Sequence, residues 1–186
     1  MRYFKYFLIL MLFPIMGCTH TRTSQEILPC DGVKNYSVSF SVSCPQYYWG
    51  ESIVFKKEAP FSDPSNRNSR WNKFTLSIED IENVESILIN QYHKAHKERG
   101  FKTKIKRVQQ HFSTWNRQYM GYIRADNHRI VRVQLLNLSP KVEYLIWLTL
   151  IFHTYRDGWI SCTGEFCEYN IQSYEIDLTS QKLVIR

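Results

Sequence analysis

Apolar residues recur with two different periods in this chain, and each period predicts a different kind of element. From Tyr36 to Ser43, every second residue is a serine and the residues between the serines are apolar. A period of two is typical of a strand with one buried face. The residues predicted to form that face are Tyr36, Val38, Phe40 and Val42. The segment 52–55 predicts a second, short strand.

A helix is predicted after residue 77, where the period lengthens to three or four. Ser77 followed by Asp80 is a capping-box pattern for the start of a helix. Gly100 is expected to end the helix, because glycine readily takes the left-handed conformation that terminates helices. Acidic residues crowd the first turns and basic residues the last, which suits the helix dipole. The predicted core stripe consists of Ile81, Val84, Leu88, Tyr92 and Ala95.

The remainder of the chain has the patterns of strands and turns. Segments 117–124 and 129–136 flank the turn formers Asp126 and Asn127, which predicts a β-hairpin. One long amphipathic helix on an antiparallel β-meander is an α+β roll, and we expect that fold class. The other predicted elements are an edge strand at 102–109, a buried strand at 144–155, a turn at Asp157-Gly158 and a hairpin of 170–178 with 182–185.

The first eighteen residues have the order of a secretory signal. Arg2 and Lys5 precede an apolar run, Phe7 to Pro14, which is too short to span a bilayer as a helix. The run is followed by a small residue and a cysteine, Gly17-Cys18, and this ending resembles the lipobox of bacterial lipoproteins. An ordinary signal peptide or a buried N-terminal helix remains an alternative interpretation.

The lipobox resemblance implies a domain organisation and a location. Cys18 would be diacylated after removal of residues 1–17, residues 18–29 would form a flexible tether, and residues 30–186 would form a single α+β domain. The expected location is the bacterial cell envelope. Thr19 after the cysteine points to the outer membrane, with the domain facing the periplasm.

A second resemblance concerns the domain. The segment Arg117 to Ile123 (RQYMGYI), Trp147 and the Asp157-Gly158 turn are similar to small exported proteins of Bacteroidota. That resemblance implies a cystatin-like or NTF2-like fold, and it carries no assigned activity.

The cysteine count suits an exported domain. With Cys18 acylated, an even number of cysteines remains, and disulfides persist in oxidising compartments. We expect the pairs that are near in sequence, Cys30–Cys44 and Cys162–Cys167. Four cysteines allow two other pairings, and a zinc site at the C-x4-C spacing stays an open alternative.

Positive charge is concentrated in one part of the chain. Lysine and arginine number 24 against 17 acidic residues, and seven of the cations fall between residues 94 and 107, where Glu98 is the one opposing charge. Such a patch favours an anionic partner. The expected partners are the membrane, through the lipid anchor, and an anionic envelope component or an envelope protein. Export argues against nucleic acid. The residues predicted to bind an anionic surface are Lys94, Lys97, Lys102, Lys104, Lys106 and Arg107.

Candidate catalytic chemistry is sparse. The sequence contains no nucleophile elbow, zinc-protease, P-loop or dinucleotide-binding motif, and we expect no cofactor or metal. We therefore predict a binding module in the envelope, with Tyr47, Tyr48 and Trp49 as a possible aromatic binding lip. The alternative is an envelope hydrolase or a metal-dependent enzyme. It would use His153 with Asp157, or His93 with His96.

The lipobox predicts a covalent modification that can be measured directly. Cells that express the full chain should incorporate labelled palmitate into it, and a Cys18→Ala variant should lose the label because Cys18 supplies the acylated sulfur. Cys30→Ala is the matched control and should keep the label. Labelling of the Cys18→Ala variant would disprove the lipoprotein interpretation.

Overall fold

In a computed structural model of the protein, residues 30–60, 72–98, 112–138, 155–161, 167 and 170–185 are described. These residues form one long helix and eight strands of a single sheet. None of the helices in this part of the chain combines the length and the apolar character that a membrane span requires. The elements are β1 (Asp31–Asn35), β2 (Ser39–Ser43), β3 (Ser52–Phe55), β4 (Asn72–Phe74), α1 (Ile78–Glu98), β5 (Asn116–Ile123), β6 (Arg129–Leu136), β7 (Ile171–Asp177) and β8 (Lys182–Ile185).

The sheet follows the order β1-β2-β3-β5-β6-β7-β8, and β4 pairs with β5 beyond the end of β3. Every pair is antiparallel except β3 with β5. The predicted α+β class is therefore confirmed, with one helix against a mostly antiparallel sheet. The sheet is not a pure antiparallel meander, because the chain returns through α1 between β3 and β5 and brings those strands together in parallel.

The helix begins as its capping box predicts. The Ser77 backbone N–H donates to Asp80 Oδ2 at 3.0 Å, and the Asp80 backbone N–H donates to Ser77 Oγ at 3.1 Å. Ile81, Val84 and Leu88 are completely buried against the sheet, which confirms the predicted stripe. The capping box therefore fixes where the helix starts, and the apolar stripe fixes which side of it faces the sheet.

The sheet is buried on both sides, unlike the single-faced strand expected at residues 36–43. Phe40 and Val42 pack beneath α1, but Tyr36 and Val38 pack on the opposite side of the sheet. The predicted common face is wrong because the strand begins only at Ser39. A turn, in which the Tyr36 N–H donates to the Ser39 carbonyl at 2.9 Å, breaks the alternation before that point.

Both predicted hairpins are confirmed. Strands β5 and β6 pair in continuous register up to Ile123 opposite Arg129, and Asn127 in their turn has a φ of 63°. Strands β7 and β8 are joined by a turn in which Gln181 has a φ of 54°. Asn adopts this left-handed conformation more readily than most residues, which explains its place in the first turn.

The disulfide between Cys30 and Cys44 is confirmed, with a Cα–Cα distance of 4.2 Å. The two cysteines flank the open end of the β1–β2 hairpin, where Asp31 pairs with Ser43. Cys167 is buried and disulfide-bonded. Its expected partner, Cys162, lies outside the described residues, so that pairing stays a prediction.

Several other expectations also fall outside the described residues. They are the signal and Cys18 (1–29), the helix end at Gly100, the strand at 102–109 and all but the last residue of the strand at 144–155. The turn predicted at Asp157-Gly158 is present.

The capping box makes a prediction about stability. Replacing Ser77 with Ala removes the acceptor for the Asp80 N–H and should lower the free energy of unfolding by about 1 kcal/mol. Ser86→Ala, in the middle of α1, is the matched control and should change stability by only about a few tenths of a kcal/mol. Urea unfolding of the two variants measures the difference, and equal midpoints would contradict the assignment.

Candidate functional site

The six cations predicted to bind an anionic partner, which we call the basic surface, are described only in part. Lys94 and Lys97 are exposed on the last turns of α1. The other four residues assigned to it, Lys102, Lys104, Lys106 and Arg107, lie outside the described residues. The two lysines add positive charge at the C-terminal end of α1, where the helix dipole favours cations. They are the first two cations of the basic run in sequence.

The two histidines of the predicted pair have different surroundings. His93 is exposed and its ring lies 4.5 Å from that of Tyr92, whereas His96 is buried with Nε2 3.0 Å from the Tyr174 hydroxyl. Within the described ranges, no group of three or more histidine, cysteine or acidic side chains is placed to hold a metal ion. The edge of the buried stripe therefore falls between the two histidines, with His96 inside the stripe and His93 outside it.

The second predicted pair is described only at one member. Asp157 is exposed in the turn after Tyr155, and His153 lies outside the described residues. The pairing of His153 with Asp157 therefore stays a prediction.

The aromatic lip takes a defined shape, which we call the aromatic turn (residues 44–50). Its three aromatic residues have different environments: Tyr48 is 1% exposed, Tyr47 is half-buried, and Trp49 is 80% exposed. The N–H groups of Tyr47 and Tyr48 donate to the Cys44 carbonyl at 2.9 and 3.0 Å. The Trp49 N–H donates to the Ser113 carbonyl at 2.7 Å. One ring is therefore an anchor and another is presented to solvent.

A buried ion pair lies beneath this turn. Glu85 on α1 and Arg117 on β5 both have fully buried side chains, and Arg117 Nε is 3.5 Å from Glu85 Oε1. The guanidinium carbon of Arg117 is 4.1 Å from the ring centre of Tyr48 and 4.7 Å from that of Phe112. These distances are those of cation–π contacts. Arg117 Nη1 also donates to the Trp115 carbonyl.

Two tyrosine hydroxyls complete the network. Tyr119 donates to Glu85 Oε1 at 2.6 Å, so its oxygen is left to accept the proton of Tyr48 at 3.2 Å. Burial, assisted by the charge of Glu85, raises the pKa of both phenols, which therefore remain protonated donors at neutral pH. A chain of hydrogen bonds thus connects Glu85 on the helix, through Tyr119, to Tyr48 in the aromatic turn.

The side chains of this network are buried, so the network acts by fixing the elements around it. Glu85 Oε2 and Arg117 Nη2 are buried without a hydrogen-bond partner among the described residues. The ion pair therefore holds α1, β5 and the aromatic turn together at some cost in desolvation. The residue of the aromatic turn that is exposed to solvent is Trp49.

A second polar cluster joins the ends of the two hairpins. His128 Nδ1 lies 2.6 Å from Asp177 Oδ2, and Asp177 Oδ1 accepts the N–H groups of Thr179 and Ser180 at 2.9 and 3.1 Å. Burial alone would raise the pKa of the Asp177 carboxyl, but the hydrogen bonds from His128 and Ser180 outweigh it and leave the pKa below its usual value. This carboxylate therefore orders the β7–β8 turn and ties it to the β5–β6 turn.

An open groove with a volume of about 380 Å³ lies between β1, β2, the residues that follow β3 and the segment that leads into α1. Phe40, Leu76 and Ile78 supply apolar lining, and Lys56 and Glu58 supply charges of opposite sign. Lys56 is already engaged, because its Nζ donates to the Tyr36 carbonyl at 2.6 Å. The groove therefore does not gather polar groups around one position.

Sequence reasoning missed both polar clusters. It assigned Glu85 to the helix dipole, although Glu85 follows Ile81 and precedes Leu88 at the spacing of the buried stripe. That spacing was a usable signal, because an acid within an apolar stripe requires a buried partner. No comparable signal joined His128 to Asp177, which are distant in sequence and meet only through the pairing of β6 with β7.

Comparison of the chain with protein families, with curated proteins and with solved structures finds no match. The interpretation of the site therefore depends on its own geometry.

The buried ion pair makes a prediction about stability. Glu85→Ala leaves Arg117 buried without a counter-charge and should lower the free energy of unfolding by about 3–5 kcal/mol. Glu82→Ala, one turn away, removes an acid that accepts a backbone hydrogen bond from Cys30 and should cost only about 1 kcal/mol. The double variant Glu85→Leu/Arg117→Met should recover much of the loss, because it removes both charges together. Denaturant unfolding measures all three variants. Equal losses for Glu85→Ala and Glu82→Ala would show that the ion pair is unimportant.

Proposed function

We propose that this protein is exported and anchored by lipid in the bacterial cell envelope. Residues 1–17 are removed, Cys18 carries the acyl chains, and residues 18–29 tether the domain to the outer membrane on its periplasmic side. The Cys30–Cys44 disulfide supports export, because disulfides persist mainly in oxidising compartments. Two acyl chains retain a protein stably, whereas one does so only marginally.

We further propose that the domain is a binding module with a cystatin-like or NTF2-like fold. A single helix laid across a mostly antiparallel sheet supports that fold. The basic surface rests on an anionic component of the envelope, and lipid headgroups are the nearest candidate. The observation that carries this proposal is the exposure of Lys94 and Lys97 at the end of α1, where the basic run begins.

The expected contribution of each lysine and the screening length predict that the contact with an anionic membrane is sensitive to salt. Each lysine near an anionic membrane contributes about 1 kcal/mol, and its field is screened over about 8 Å at physiological ionic strength. Lys94, Lys97 and the four other cations assigned to the basic surface therefore suffice for binding at low salt. The same contact weakens as salt rises.

The proposal is tested with the chain from Thr19 onward and vesicles of phosphatidylcholine and phosphatidylglycerol in equal parts. The parent chain should sediment with the vesicles at low salt and be released as salt rises. Lys94→Gln/Lys97→Gln should weaken the low-salt affinity by about 2 kcal/mol, or roughly thirtyfold. Lys102→Gln/Lys104→Gln/Lys106→Gln should abolish binding without unfolding the domain.

The matched control is Lys34→Gln/Lys57→Gln, which removes the same charge from exposed positions on β1 and after β3. It should bind almost as the parent does. A parent chain that ignores anionic vesicles at low salt would disprove the proposal. An equal loss in the control would show that net charge acts and that no particular surface does.

A further inference from the structure

Trp49 is presented to solvent to an unusual degree. Its side chain is 80% exposed, whereas the other exposed large apolar residues in the described part of the chain, Val33, Val184 and Ile89, are 45%, 41% and 39% exposed. Tryptophan is highly buried on average, because exposure of its large apolar indole to water is unfavourable. An indole left in this position is a candidate contact for a partner.

The backbone holds Trp49 in place. On one side Tyr48 is buried beneath the guanidinium of Arg117. On the other side Gly50 lies so close to the chain that an added Cβ would be 2.9 Å from the Trp115 carbonyl oxygen. The backbone N–H of Trp49 itself donates to the Ser113 carbonyl. A backbone that is already held on both sides of Trp49 loses little conformational entropy when the residue binds.

The segment 112–113 connects this ring to the end of α1. Phe112 stacks on Tyr92 of the helix with ring centres 5.8 Å apart, and the next residue, Ser113, accepts the Trp49 N–H. The aromatic turn is also joined to the start of the domain, because Cys44, its first residue, is disulfide-bonded to Cys30, which directly follows the proposed tether. The indole is therefore presented close in the chain to the point at which the proposed lipid anchor is attached.

We propose that Trp49 is a lipid-contacting residue, which enters the headgroup region of the bilayer to which the proposed tether attaches the domain. This inference rests on the proposed function and names the apolar part of the same contact. Indole suits the headgroup region because it combines an apolar body with one N–H donor. A ring exposed over four-fifths of its surface has no walls around it, whereas sites for small ligands are concave and enclose most of the ligand. A bilayer supplies the enclosing partner that the protein itself does not.

The two parts of the contact should respond differently to salt. The attraction of Lys94 and Lys97 is screened, but transfer of an indole out of water is not electrostatic. Trp49 should therefore remain in contact with lipid at salt concentrations that suppress the contribution of the lysines.

The test uses the full chain reconstituted into vesicles of phosphatidylcholine and phosphatidylglycerol that contain brominated phospholipid. The chain has five tryptophans, so the emission of Trp49 is obtained as the difference between the parent and a Trp49→Phe variant. This difference emission should be blue-shifted, quenched by the brominated lipid and protected from aqueous iodide. Trp159→Phe is the matched control, because Trp159 is half-buried with its ring 6.2 Å from that of Phe55. Its difference emission should not respond to the brominated lipid.

The outcomes separate this inference from the proposed function. Iodide quenching of Trp49 without lipid quenching, together with the expected loss of vesicle binding in Lys94→Gln/Lys97→Gln, overturns the inference and leaves the proposed function standing. If both signals are absent, both fail. If the emission of Trp49 shifts instead on addition of soluble peptidoglycan fragments, the inference is overturned in favour of a glycan contact.

Discussion

The ion pair between Glu85 and Arg117 is the constraint on which the rest of the molecule depends. Each charge is completely buried, and each would be strongly unfavourable without the other. Because Glu85 is on α1 and Arg117 is on β5, the pair limits both sliding and rotation of the helix on the sheet. Tyr119 and Tyr48 contact the same two charges, because the Tyr119 hydroxyl donates to Glu85 and the Tyr48 ring lies against the Arg117 guanidinium. The aromatic turn therefore takes its position from a contact between two other elements.

Strand β5 has this role on both faces of the sheet. Arg117 and Tyr119 face the helix, and Gln118 between them faces the other side. The Gln118 amide donates to the carbonyls of Tyr155 and Gly158 at 2.8 and 2.9 Å and accepts the Ile160 N–H at 3.1 Å. Its side chain thus satisfies the backbone of a segment that has no strand partner there. One alternating strand therefore carries a buried charge network on one face and a buried amide network on the other.

Sequence reasoning succeeded where the determining contacts are local. The capping box of Ser77 with Asp80 and the two hairpin turns are decided by residues within a few positions of one another, and they could be predicted. It failed where distant segments meet. The parallel pairing of β3 with β5, for example, depends on the whole β3–α1–β5 connection. One local feature was missed as well, because the turn from Tyr36 to Ser39 reverses the apparent face of the residues before β2. The candidate site divides in the same way: Lys94 and Trp49 were visible in the sequence, but the contact of Arg117 with Tyr48, the neighbour of Trp49, was not.

The proposed tether changes how strong the surface contacts need to be. A flexible chain of the length of residues 18–29 has an end-to-end distance of about 20 Å, which keeps the domain within reach of the bilayer. Tethering over such distances gives effective concentrations in the range of about millimolar. A few lysines and one indole that would bind a free vesicle only weakly can then hold the domain in one orientation. The rigidity supplied by the buried ion pair matters for this reason, since a weak contact orients a domain only if the contacting groups are fixed to it.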